Sequence, residues 1–196
     1  MDNSPSLNMP SIILASQSPR RKQLLEWAEV PFEVLVKETE ETYPSHLPVT
    51  EIAIHIARNK ALAIKQTLKS PKPVLAADTI VVLGDRIIGK PKSREDAIAI
   101  LHDLSGNKHK VITGVVILLA ENETAFADST EVEFHTLSNT EIEFYVDKYK
   151  PYDKAGAYAI QEWIGVVGIK SVSGDFYNVM GLPVSRVVKA LNQLHR

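Results

Sequence analysis

The chain has 196 residues, with 22 Lys+Arg against 24 Asp+Glu for a formal net charge of −2, and 44% of its residues are hydrophobic. This composition is typical of a globular protein with a sizeable core, and the small net charge argues against a general nucleic-acid binder. The absence of cysteine excludes disulfides, thiolate metal sites and cysteine nucleophiles.

The first ten residues are polar and carry neither the basic flank nor the apolar stretch of a signal peptide. We expect a disordered leader over residues 1–10 and one domain over residues 11–196. No uncharged apolar run approaches the length of a membrane span. The sequence therefore predicts a cytoplasmic protein that binds neither membrane nor nucleic acid.

The first half of the chain alternates short apolar runs with helical patterns. Ser18-Pro19 predicts a helix start, because serine caps helices and proline fits their first turn. Apolar spacing predicts a longer helix, capped by Thr50 and reaching about Leu68. Strands are predicted at 11–15, 32–36, 74–77 and 80–83, and Gly84-Asp85 predicts a hairpin turn after the last of them.

The second half continues in the same way. Ser93 is expected to cap a helix that ends near Leu104, and Ser138 with Glu141 matches a capping box. Pro183 is expected to begin a closing helix. Further strands are predicted at 110–119, 131–137 and 164–172. Because strands and helices are interspersed, the fold class is α/β with a mixed sheet.

A polar segment separates the first predicted strand from the first helix. It runs Ser16-Gln17-Ser18-Pro19-Arg20-Arg21. Free amides at a helix N-terminus favour an anion, and two guanidinium groups with two hydroxyls suit phosphate oxygens. The alternative is that both arginines are solvated or paired with nearby Glu26 or Glu29.

Charged residues elsewhere could complete such a site. Asp78 follows an apolar strand, where a carboxylate could hold Mg²⁺ or activate water, although aspartate there is often a simple turn residue. Lys60 and Lys90 suit phosphoryl groups, or are surface lysines. Glu41 belongs to an acidic loop whose oxygens suit Mg²⁺ or Mn²⁺, or are merely solvated.

A segment rich in small residues, DKAGAYAIQ at 153–161, offers close backbone approach to a flat ligand. Tyr158 could stack on that ligand, and Gln161 carries both a donor and an acceptor. A glutamine amide can match the N3–H and O4 of uracil or thymine, whereas the flipped amide would match cytosine. A surface glutamine on a strand bend is an equally good interpretation.

Six segments together resemble the Maf family of nucleoside triphosphate pyrophosphatases. They are SQSPRR, AADT, GKPKS, LSGNKHKVITG, DKAGAYAIQ and YNVMGLP, in that order, and the similarity runs from about Ile12 to Leu191. The DKAGAYAIQ segment is similar to the branch of the family that acts on dTTP and UTP.

The resemblance implies an elongated mixed sheet flanked by helices, with two lobes, a deep cleft and a possible homodimer. It also implies hydrolysis of nucleoside triphosphates to monophosphate and pyrophosphate with Mg²⁺ or Mn²⁺, a nucleotide house-cleaning activity that could extend to modified pyrimidine analogues. By motif position it implies Asp78 as the proton acceptor and Glu41 as a metal ligand. The implied substrate-binding positions are Ser16, Arg20, Arg21, Lys60, Thr79, Lys90 and Gln161.

One position departs from the family pattern. Glycine commonly follows the glutamine, whereas Glu162 follows here, which is expected to place a larger acidic side chain beside the base pocket. A second functional hypothesis uses the same pocket without turnover, as a nucleotide-binding regulator of cell division.

Overall fold

A computed structural model describes residues 9–194. The leader predicted over residues 1–10 therefore falls almost entirely outside the described residues. The strands are Ile12–Leu14 (β1), Phe32–Val34 (β2), Val74–Leu83 (β3), Arg86–Ile88 (β4), Lys108–Leu119 (β5), Asn122–Phe134 (β6) and Ile169–Ser173 (β7). The helices are Pro19–Trp27 (α1), Val49–Lys65 (α2), Arg94–Leu104 (α3), Asn139–Tyr149 (α4), Trp163–Gly168 (α5), Phe176–Val179 (α6) and Val184–Gln193 (α7), with a 3₁₀ turn at Ala155–Ala157.

All seven strands form one mixed sheet in the order β2-β1-β3-β5-β6-β7, with β4 paired to β3. β1 is parallel to both β2 and β3, whereas the remaining pairs are antiparallel. The α/β class with a mixed sheet is thus confirmed. Among residues 9–194, no helix is both long enough and apolar enough to cross a membrane.

Alternating side chains on the central strands supply two cores. Leu75 and Ala77 of β3 face the larger core, whereas Val74 and Ala76 face the core under α2. This alternation follows from the two-residue period of a strand. The sheet is therefore covered on both faces, and α2 packs on one of them.

Helix starts follow the predicted caps, with one exception. The side chain of Ser93 accepts a hydrogen bond from the Asp96 amide, and Ser138 forms the predicted capping box with Glu141. Ser18 caps α1. The expected cap at Thr50 is wrong, because α2 begins one residue earlier and Pro48 occupies its N-cap position.

Two strand predictions are also wrong. Asp78 and Thr79 do not end a strand, because β3 runs unbroken through them and pairs Asp78 with Gly114 of β5. Residues 164–168, predicted as a strand, lie in helix α5, and β7 begins only at Ile169. The hairpin turn at Gly84-Asp85 is confirmed by the antiparallel pairing of β3 with β4.

Candidate active site

A cavity of about 710 Å³ opens beside the middle of β3, within the range of about 300–1,000 Å³ that is usual for small-molecule sites. Its wall includes eight of the nine site positions that the family resemblance implies: Ser16, Arg20, Arg21, Glu41, Lys60, Asp78, Thr79 and Lys90. These residues come from five separate parts of the chain, so the fold brings them together.

Lys60 lies at the centre of the charged groups. Its Nζ donates to Asp78 Oδ1 at 2.7 Å and to Glu41 Oε1 at 2.8 Å. Lys90 Nζ lies 3.9 Å from the other oxygen of Glu41. Lys60 extends from α2 toward β3, so helix packing on the sheet puts the amine between the two acids.

The surroundings favour an ionised Glu41. Burial disfavours its carboxylate, but the hydrogen bond from Lys60 and the neighbouring positive charges outweigh that effect. The pKa of Glu41 therefore lies below its ordinary value. The carboxylate is available as an anion throughout the neutral range.

Arg21 is anchored by the protein itself. Its Nε donates to the Gly181 carbonyl at 2.8 Å, Nη1 donates to Ser16 Oγ at 3.1 Å, and Nη2 donates to Thr79 Oγ1 at 3.1 Å. Burial lowers its pKa to about 10, so it stays charged at neutral pH. Arg21 thus joins three segments of the cavity wall.

Arg20 is held more loosely. Its Nε donates to the Met180 carbonyl at 3.3 Å, and its Nη1 lies 3.9 Å from Asp153 Oδ2. The ion partner is therefore Asp153, and neither Glu26 nor Glu29 of the alternative interpretation. Because the partner carboxylate is mostly exposed, this guanidinium is the freer of the two for a ligand.

The hydroxyl of Thr79 has a fixed hydrogen-bond direction. Thr113 Oγ1 donates to the Asn178 carbonyl at 3.1 Å and lies 3.0 Å from Thr79 Oγ1. Since each hydroxyl has one hydrogen, Thr79 must donate to Thr113 while it accepts from Arg21. The Thr79 hydroxyl therefore already bonds two protein side chains, those of Arg21 and Thr113.

Gln161 is the exception among the predicted residues. It is exposed in the turn before α5 and does not contribute to the cavity wall. Glu162 is also absent from the wall, and its carboxylate accepts a hydrogen bond from the Tyr145 hydroxyl. The expectation that Glu162 lies beside the base pocket and base recognition by Gln161 both stay predictions.

The sequence interpretation missed several wall residues. Asp153 lies in the small-residue segment, whose pattern assigns it no role, and no motif marks Lys37. The backbone carbonyls of Met180 and Gly181 hold the two arginines. Their only sequence signal is the motif YNVMGLP, since a carbonyl's role leaves no trace in residue type.

The donor set suits a small divalent cation. Within residues 9–194, no group of three or more histidine, aspartate or glutamate residues lies at metal-binding distance. Mg²⁺, however, is usually held by one or two carboxylates together with substrate phosphates. Glu41 and Asp78, which both accept from Lys60 Nζ, are the carboxylates that could hold such an ion.

Two similar proteins bear the same name. The dTTP/UTP pyrophosphatase of Cytophaga hutchinsonii is 50% identical over 188 residues, covering 96% of this chain and 86% of that relative. The dTTP/UTP pyrophosphatase of Parabacteroides distasonis is 46% identical over 187 residues, covering 95% and 97%.

Solved structures share the fold at low identity. A HAM1 protein from Coxiella burnetii matches with a TM-score of 0.51 and 18% identity, covering 94% of this chain and 100% of its own. The Ham1 protein of Staphylococcus aureus matches with a TM-score of 0.51 and 17% identity, covering 95% and 100%. A family model described as Maf-like protein matches residues 11–194, and with the two relatives above it shows that this chain belongs to the Maf family.

Proposed function

We propose that this chain hydrolyses nucleoside triphosphates to a nucleoside monophosphate and pyrophosphate, with dTTP and UTP as substrates. Modified pyrimidine triphosphates belong to the same proposal, as part of a house-cleaning role. The observation that carries it is the Lys60 bridge between Asp78 and Glu41, inside a cavity that also presents Arg20 and Lys90. Relatives of the same family bear the name dTTP/UTP pyrophosphatase.

The charges in the cavity favour binding of a polyanion together with a metal cation. Five positive side chains line it against four carboxylates, which leaves one net positive charge. One charge does not balance a triphosphate, so a divalent metal fits the site electrostatically. The side chains concerned are Arg20, Arg21, Lys37, Lys60 and Lys90, and Glu38, Glu41, Asp78 and Asp153.

Each group has a distinct part in the proposed reaction. Arg20 and the amides at the start of α1 bind the triphosphate, because that helix end carries partial positive charge. Arg21 keeps Ser16 and Thr79 in place beside it. Lys60 and Lys90 stabilise charge that develops on the phosphates, which is the main requirement of phosphoryl transfer.

Asp78 is assigned to the attacking water. Lys60 bonds its Oδ1, which orients the carboxylate, and the other oxygen can accept a proton from water directed at the α-phosphorus. A bound Mg²⁺ or Mn²⁺ would be held by Glu41 and Asp78, and would neutralise phosphate charge and acidify water. Asp78 acts in this scheme as base, as metal ligand, or as both.

The test is pyrophosphate release by the purified protein. With Mg²⁺ and a panel of canonical and modified triphosphates, we expect release to be fastest with dTTP and UTP. Asp78→Asn should lower kcat by about 10²–10⁴-fold and leave thermal unfolding nearly unchanged, since the amide oxygen still accepts from Lys60. Near-normal kcat in that folded variant would contradict the assigned role.

The same assay separates the enzyme from the alternative, a non-catalytic nucleotide-binding regulator of cell division. A regulator would bind nucleotide and release no pyrophosphate with any member of the panel. Nothing in the family comparison favours that alternative. The cytoplasmic location, the homodimer and the lack of nucleic-acid binding stay predictions.

A further inference from the structure

An ion-pair network lies behind one wall of the cavity. Lys154 is only 8% exposed, and its Nζ donates to Asp153 Oδ1 at 2.8 Å and lies 3.6 Å from Glu162 Oε1. A buried ammonium group is costly unless carboxylates compensate it. Lys154 therefore ties Glu162, which is outside the cavity, to Asp153, which is part of its wall.

A second connection runs from Glu162 through Tyr145. A carboxylate can only accept, so the Tyr145 hydroxyl hydrogen is directed to Glu162, and its oxygen accepts from the Ala159 amide at 3.2 Å. Burial and the bond to Glu162 raise the pKa of Tyr145, which keeps the hydroxyl protonated. Ala159 is itself a wall residue.

Both connections begin at the Glu162 carboxylate and end at residues of the cavity wall. One reaches the backbone at Ala159, next to Tyr158, and the other reaches Asp153, which lies 3.9 Å from Arg20. We propose that Glu162 is a positioning residue, which fixes the 153–159 wall of the cavity and thereby the affinity for the nucleotide. It does so without contacting the nucleotide.

The network is separate from the groups assigned to the chemical step. Asp78 and Lys60 lie on β3 and α2 and bond each other, whereas Glu162, Lys154 and Tyr145 bond among themselves and to Ala159 and Asp153. Loss of Glu162 should therefore weaken binding and raise KM while kcat changes little. A variant that is only less stable would contain less folded protein, and the folded molecules would keep an unchanged KM. A raised KM with nearly constant kcat therefore indicates weaker binding.

The experiment measures the affinity for α,β-methylene-UTP, a UTP analogue that resists cleavage at the proposed bond, by calorimetry on the full chain. Glu162→Ala should weaken binding about tenfold, because Lys154 and Tyr145 each lose a buried partner. Glu162→Gln keeps an acceptor for Tyr145 and should be less affected. Glu143→Gln, an exposed acid on the same helix as Tyr145, is the matched control.

Tyr145→Phe provides a second variant that removes only one oxygen atom. It should also weaken binding, and combined with Glu162→Gln the effects should be less than additive because both act on Ala159. The inference is overturned if Glu162→Ala and Tyr145→Phe both bind within about twofold of the unaltered chain, since a lost buried hydrogen bond should exceed that. If Glu162→Ala does not fold, Tyr145→Phe alone decides.

The inference rests on the proposed function for its ligand, and the two fail differently. Absence of pyrophosphate release from the unaltered chain overturns the proposed hydrolysis and leaves the affinity comparison intact. Steady-state kinetics with UTP then add a second readout where turnover exists. A fall in kcat at unchanged KM in Glu162→Ala would place the residue in the chemical step and overturn its positioning role.

Discussion

Lys60 shows how one side chain can set the state of two others. Its amine lies within 2.8 Å of both Glu41 and Asp78, so the two carboxylates are near neighbours with a shared cation between them. Without that cation, like charges at such range would repel, and one acid would gain protons more readily. The lysine therefore helps to hold the pKa of Glu41 below its ordinary value.

Replacing Lys60 with methionine tests this arrangement. The pKa of Glu41, now held low, should rise, and the acid limb of the kcat/KM profile for UTP should shift to higher pH. The value of kcat/KM at neutral pH should also fall by about 100-fold or more, because charge stabilisation is lost. The measurement is a pH–rate profile.

Lys65→Met is the matched control for that profile. Lys65 lies on the same helix and pairs with Glu121, 3.6 Å away, which is almost fully exposed. The acid limb of the Lys65→Met profile should match that of the unaltered chain. An unshifted limb in Lys60→Met would show that Lys60 does not control the ionisation of Glu41.

At the level of elements, the approach of α2 to the sheet depends on Gly114. A Cβ at that position would lie 2.3 Å from the carbonyl carbon of Ala53 and 2.4 Å from the amide nitrogen of Ile54, both backbone atoms of α2. Such contacts leave no room for a side chain, so glycine lets the helix rest on β5. Gly114 also pairs with Asp78 across the strands.

Gly114→Ala should therefore displace α2 and move Lys60 away from Asp78. We expect a loss of about 1–3 kcal/mol in the free energy of unfolding and a fall in kcat/KM of about 100-fold. Gly89→Ala is the control for unfolding, because a Cβ there meets no atom within 4 Å. Equal unfolding free energies for the two variants would contradict this account of helix packing.

Local sequence signals predicted the starts of α1, α3 and α4 because a cap depends on residues within a few positions of each other. They failed at Asp78, where a carboxylate suggested a strand end. The strand continues through Asp78 because it pairs with β5 on both sides of that residue, and Lys60, 18 residues away, compensates the acid. They failed again at 164–168, where an apolar run fits either structure and the chain forms helix α5.

At the level of the whole molecule, the cavity is built from segments between residues 15 and 181. Residue patterns alone left each candidate with a simpler interpretation, and only the order of six motifs indicated that they act together. The placement of Gln161 and Glu162 could not be predicted in that way, because it depends on contacts with Tyr145 and Lys154. Such contacts are properties of the packed chain.

The core behind the cavity also carries one group that should make stability depend on pH. His109 is 2% exposed, its Nε2 lies 2.7 Å from the Tyr158 hydroxyl, and its ring stacks against Phe134. Burial lowers its pKa from 6.5 to about 4. The folded protein thus keeps this histidine neutral at pH values where the unfolded chain would protonate it.

Because the folded pKa is the lower one, the contribution of His109 is complete above about pH 6.5 and is lost as the pH falls toward about 4. Between pH 7 and pH 5 the loss should be about 2 kcal/mol. His109→Gln should remove that part of the pH dependence, measured as the difference between denaturant unfolding at the two pH values. His102→Gln, on the exposed face of α3, should retain it, and an equal slope in both variants would contradict the assignment to His109.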